Sequence, residues 1–172
     1  MGRESVLKAV GEITFEEENQ GLFSPCSFCR PREGLWVSPD FKKWVLPAIT
    51  RGPVEDLNAS GARIFELMKI ADENVLTPEL PPRYAFPVLG ACYRVLQMIE
   101  GQFNGEKGIL LTNRNQNIFY VGGDFKDPIL GASQTLAISA TFSTSPPMWL
   151  VDATWPNSAW WGKGHRIFVF LH

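Results

Sequence analysis

Cys26 and Cys29 are the residues of this chain best suited by type and spacing to chemistry. A Cys-x-x-Cys pair can hold zinc through two thiolates or cycle between dithiol and disulfide. A four-ligand zinc site needs two further ligands. Outside the pair the chain offers only Cys92, His165 and His172, with no close spacing among them. A redox pair sits at a helix N-terminus, which lowers the thiol pKa. Here Arg30-Pro31-Arg32 follows at once, and Pro31 forbids a regular helix through that point.

The wider segment, Ser24-Pro25-Cys26-Ser27-Phe28-Cys29-Arg30, resembles the second half of the zinc signature of cytidine deaminases, Pro-Cys-x-x-Cys. In that family a third ligand, His or Cys, lies upstream, and a Glu two residues after it moves protons. No His or Cys precedes Cys26, and His165-Arg166-Ile167 is not His-x-Glu. The resemblance leaves zinc at Cys26 and Cys29 as the metal reading and brings no deaminase activity with it.

His165 is the other candidate for chemistry. With Asp152 on a neighbouring strand as its orienting carboxylate it would be a general base. The bland reading, a strand-edge histidine bonded to backbone, is the stronger of the two. No Gly-x-Ser-x-Gly elbow is present, and Gly162-Lys163-Gly164 lacks the spacing and the following hydroxyl of a phosphate loop. Cys92 falls in an apolar helical stripe and reads as a small buried hydrophobe.

Aromatic residues carry the functional reading. Four of the six tryptophans, Trp149, Trp155, Trp160 and Trp161, crowd into one short stretch. Trp149 and Trp155 have the same strand parity and share a sheet face. Trp160 and Trp161 are adjacent, and two neighbouring indoles do not both turn inward easily. Tryptophan gives large contact area at low entropic cost and is enriched at binding hot spots. Trp149, Trp155, Trp160, Trp161 and His165 are therefore the expected ligand-binding or interface residues. The expected function is a non-catalytic binding or interaction protein, a homo-oligomer with an aromatic-lined cleft or interface for a small organic ligand or a peptide. The alternative is a zinc-dependent enzyme using Cys26 and Cys29.

Bulk properties narrow the partners. A net charge of -2 and a pI near 5.7 disfavour nucleic acid and anionic membrane surfaces, which need clustered Lys and Arg. Three cysteines, a charged N-terminus and no long apolar run point to a reduced, cytoplasmic, soluble protein. At 172 residues the chain fits one domain, 1–172, large enough to fold without disulfide or metal.

The elements that must position these residues are read from periodicity. Residues 6–16 suggest a short helix or arm leading into a strand, and Leu35-Trp36-Val37 a strand. Ser38-Pro39-Asp40 is a helix start, with Ser38 as acceptor for orphan N–H groups and Pro39 in the first turn; Pro47 stops that helix. Val54, Leu57, Gly61, Ile64, Met68 and Ala71 follow three-four spacing and predict a helix. Within it Gly61 would let another backbone approach. Pro87 opens a further helix to about Glu100, with Arg94, Gln97 and Glu100 left for solvent.

From Gly108 the period becomes two. Ile109–Thr112 and Asn117–Val121 predict a hairpin, and strands are expected at Thr135–Ser143, Trp149–Trp155 and Arg166–Leu171. The last is apolar on both faces and so central. The fold class is α+β, with helices in the N-terminal half packed on one face of a mainly antiparallel sheet formed by the C-terminal half.

Overall fold

The computed structural model describes residues 5–15, 26–29, 33–49, 59–127 and 131–171. Its ten strands in chain order are β1 (Leu7–Thr14), β2 (Leu35–Val37), β3 (Gly61–Leu67), β4 (Ala71–Asp72), β5 (Phe86–Pro87), β6 (Asn117–Asp127), β7 (Gly131–Thr144), β8 (Pro147–Thr154), β9 (Trp160–Trp161) and β10 (Arg166–Leu171). Eight of them form one mixed sheet in the order β1-β3-β10-β6-β7-β8-β2, with β5 added beside β6. The joins β10–β6, β2–β8 and β5–β6 are parallel and the others antiparallel. β4 and β9 pair with each other as a separate two-stranded ribbon.

Both faces of the sheet are covered. On one, Ala62, Ile64, Phe119, Ile138, Phe168 and Phe170 pack against helix α4 (Val88–Gly101) and the helical stretch before residue 50. That stretch runs from a π-helical turn, Phe41–Val45, into α2 (Leu46–Ile49). On the other face Leu67, Ile118, Tyr120, Ala137, Ile167 and Val169 meet Leu76 of α3 (Glu73–Leu76), Leu80 and Trp161. Burial on two sides explains why β10 reads as an apolar run and not as an alternation. It lies between β3 and β6, as its composition predicts.

Several sequence expectations hold. Leu35–Val37 is a strand, and Ser38 Oγ accepts from Phe41 N at 3.0 Å, capping the helix that follows. α4 begins after Pro87, and β7, β8 and β10 fall where two-residue periodicity puts them.

The sheet is not a product of the C-terminal half alone, because β1, β2 and β3 join it. Nor do the helices share one face, since α3 lies opposite α4. The predicted helix through Ile64 is strand β3 instead. Residues 51–58, which carry Val54 and Leu57, lie outside the described residues. β3 buries Ala62 and Ile64 on one face and Leu67 on the other, so it shows no alternation, and its apolar positions fit a helical spacing equally well.

Gly61 does admit a close backbone, but across a sheet. A Cβ there would strike the carbonyl oxygen of Ile13 on β1. Residues 7–14 are entirely strand, without the helical lead-in. Pro47 does not stop the helix after Ser38, which runs on to Ile49.

The hairpin expected at residues 109–121 is absent. Residues 108–116 are irregular, and β6 pairs with β7 and β10. Two buried amides replace the ladder there. Gln102 Nε2 donates to the carbonyls of Glu106 and Leu110, and its Oε1 accepts from Leu110 N. Asn117 Oδ1 accepts from Leu111 N, and its Nδ2 donates to the carbonyls of Leu111 and Ala140. Side-chain amides satisfy backbone that an apolar reading assigns to a strand.

Candidate functional site

The aromatic residues divide between the core and one exposed face. Trp149 is fully buried on β8, where its indole Nε1 donates to Gln102 O at 2.9 Å and its ring stands edge-on to Phe142. Trp155 is on the same face, as its parity predicts, with its ring 5.1 Å from that of Trp44. Both are withdrawn from every surface of this chain. Trp160 and Trp161 separate because they occupy consecutive positions of a strand, whose side chains point to opposite sides. Trp161 is 3% exposed beneath the ribbon and Trp160 is 70% exposed above it.

The ribbon register extends this face. Ala71 pairs with Trp161, and Asp72 with Trp160. Ala71 and Trp161 face inward, so Asp72 and Trp160 face outward, and Ile70 falls diagonally beside Trp160 at roughly 7–8 Å backbone spacing. Ile70 is 68% exposed, and Met68, two residues earlier, is also exposed. No signal in the local sequence marks Met68 and Ile70, since the residues around them fit a helical stripe that the fold does not use.

A web of backbone bonds holds the ribbon in place. Gly164 N donates to Leu67 O, Leu67 N to His165 O, and Met68 N to Val6 O. Asp72 caps α3 by accepting from Val75 N at 3.1 Å. Beneath the ribbon Glu73 gathers three hydroxyls: Tyr120 donates to Oε2 at 3.0 Å, and Thr77 and Tyr84 donate to Oε1. Burial, and then the Glu73 charge, push the ionisation of both tyrosines above its usual value.

His165 joins this face without acting as a base with Asp152. Asp152 pairs with Ser139, Ser139 with Ile118, and Ile118 with Ile167, so two strands lie between β8 and β10. At about 4.8 Å per strand the separation is roughly 14 Å, beyond one bridging water. Asp152 Oδ1 accepts from Ala153 N. The imidazole lies instead over Gly162. Its Nδ1 accepts from Gly162 N at 3.3 Å, and its Nε2 would be 3.2 Å from a Cβ built on that glycine. The ring therefore packs where a side chain at residue 162 would start, just beyond the end of β9. Burial lowers its pKa below the ordinary 6.5.

The backbone of Cys26–Cys29 forms one helical turn, α1, while the side chains of both cysteines lie outside the described residues. Among the described residues no three His, Cys, Asp or Glu side chains come together as a metal-holding group. Cys92 is buried in α4, and burial pushes its thiol far up, away from the reactive thiolate.

Arg94 corrects an expectation. It is buried and not on a solvent face, with its guanidinium 4.5 Å from the Phe15 ring centroid and donating to Gln97 Oε1 and Ala59 O. A cavity of about 690 Å³ opens beside it, lined also by Glu100, Lys107 and Ile109. Charges of both signs on this wall select no single ligand charge, which leaves the ribbon as the better-defined site.

Comparison with protein-family models, with curated proteins and with solved structures finds no match. Among the described residues no helix is long and apolar enough to cross a membrane.

Proposed function

We propose that this chain is a non-catalytic interaction protein that associates with a second copy of itself through the outer face of the β4–β9 ribbon. The observation that carries the reading is Trp160, left 70% exposed while its neighbour Trp161 is buried. Ile70 and Met68 enlarge the apolar surface around it. A large indole left open to water beside other exposed apolar side chains is the kind of surface a contact site uses.

The charges at the two ends of the ribbon suit a two-fold partner. Asp72 stands at one end of the ribbon and Lys163 beyond the other. A copy rotated by 180° brings each acid to the other's base, the self-complementarity of an isologous contact. Three side chains supply only a few hundred Å², below the ~800 Å² per partner of a stable interface. Association is accordingly weak, micromolar or weaker. The flat ribbon also fits a short apolar peptide better than an enclosed small molecule.

Sedimentation velocity over a broad concentration series tests this. The wild type gains mass with concentration, and the double variant Trp160→Ser, Ile70→Ser stays monomeric with an unchanged unfolding midpoint. A wild type that remains monomeric throughout, or a variant that associates as before, refutes the reading.

A further inference from the structure

The ribbon face ends at an imidazole, that of His165, which is wired into the backbone. Gly162 N–H can donate to His165 Nδ1 only while that nitrogen is unprotonated. The same turn is closed by His165 N donating to Gly162 O and is tied to β3 through Gly164 and Leu67. Gly164 has φ +85°, a conformation that costs other residues strain and that glycine supplies to the turn. The ring itself packs against Gly162.

We propose that His165 is a proton-operated latch for this face: neutral, it locks the 162–165 turn and presents an uncharged ring beside Trp160 and Ile70; protonated, it releases Gly162 and places a cation within the apolar contact. Self-association is thereby weakened in acid. The proposal rests on the association described above but acts on the turn whether or not a second copy is bound.

Charged groups of both signs surround the turn. On or beside β4 they are Lys69 and Asp72, and on the turn Lys163. Arg166 on β10 stands across from Glu66 on β3, which stands across from Lys8 on β1. Arg114 belongs to the loop whose Asn115 approaches Gly164. Burial, and not any of these charges, is what lowers the His165 pKa. The sign follows. A lowered folded value means that the unfolded chain takes up the proton more readily, so the stability held by neutral His165 is complete above pH ~6.5 and is lost as pH falls toward the folded value.

The test reads the turn and the association separately. In the Trp160→Ala protein, nuclear magnetic resonance follows the Gly162 amide and the His165 imidazole through the acid range. The amide shift and its exchange protection move with the imidazole midpoint. An amide unchanged across that midpoint overturns the latch, whatever the oligomeric state. In wild type, sedimentation at about pH 7.5 and at a pH below the imidazole midpoint read by resonance shows the complex weakened by roughly tenfold or more in acid. His165→Gln, which keeps an acceptor and loses the proton, associates equally at both. Acid dissociation persisting in His165→Gln overturns the latch. A wild type that is monomeric at both pH values defeats the interface and leaves the amide to decide the latch.

Discussion

The hydroxyl of Tyr120 donates to Glu73 Oε2 at 3.0 Å from the centre of the sheet, joining a fully buried β6 side chain to the first residue of α3. This bond connects the sheet to the layer that carries the ribbon. Tyr120→Phe keeps the ring and deletes the donor. A bond to a carboxylate is worth about 1.5–3 kcal/mol, and urea unfolding is expected to show a loss of that order. Tyr84→Phe, whose bond is 3.4 Å and half-buried, costs less. Because the Tyr120 ionisation is raised on folding, its contribution is complete below pH ~10 and disappears as pH climbs above that. Tyrosinate absorbance of the native protein should lag behind that of the denatured chain.

The opposite orientations of the adjacent tryptophans give a sharp contrast. Trp161→Ala empties a core position and should cost about 3–5 kcal/mol. Trp160→Ala changes an exposed side chain and should leave stability within about 0.5 kcal/mol. Chemical denaturation of the two variants distinguishes them, and equal losses would show that both rings are packed.

At Gly61 the close approach of β1 leaves no room for a methyl group. Gly61→Ala drives Cβ into the Ile13 carbonyl oxygen, which belongs to backbone and cannot swing aside. Overpacking of this kind costs about 1–3 kcal/mol. Thermal unfolding should report it, together with faster hydrogen exchange along β1.

Cys92 should resist modification. Its thiol is fully enclosed and far from its thiolate. Iodoacetamide applied to native protein, followed by peptide mass mapping, should leave Cys92 unlabelled until denaturant is added. Labelling at the native rate of a free thiol would contradict its burial.

How much was legible in the sequence depends on how many sides of each element meet water. β7 and β8 announce themselves by alternation, and α4 by its opening proline and its apolar stripe. β3 is disguised, because Ala62, Ile64 and Leu67 serve two cores at once. The 108–116 loop imitates a strand because Leu110 is buried like one, while Gln102 and Asn117 do the bonding from a distance. Of the candidate site, Trp160 and His165 were visible as residue types. Their neighbour Ile70 was not, since only the β4–β9 register brings it there. Asp152 looked adjacent to His165 only while the strand order was unknown; β6 and β7 intervene.

The position of β10 has a consequence for biosynthesis. It completes the middle of the sheet, yet it follows every other described strand in the chain. A ribosome delivers β1 and β3, and later β6, β7 and β8, before the segment that joins these two groups exists. Neither group has its inner neighbour until Arg166–Leu171 is made, so the full sheet closes only with the last described strand.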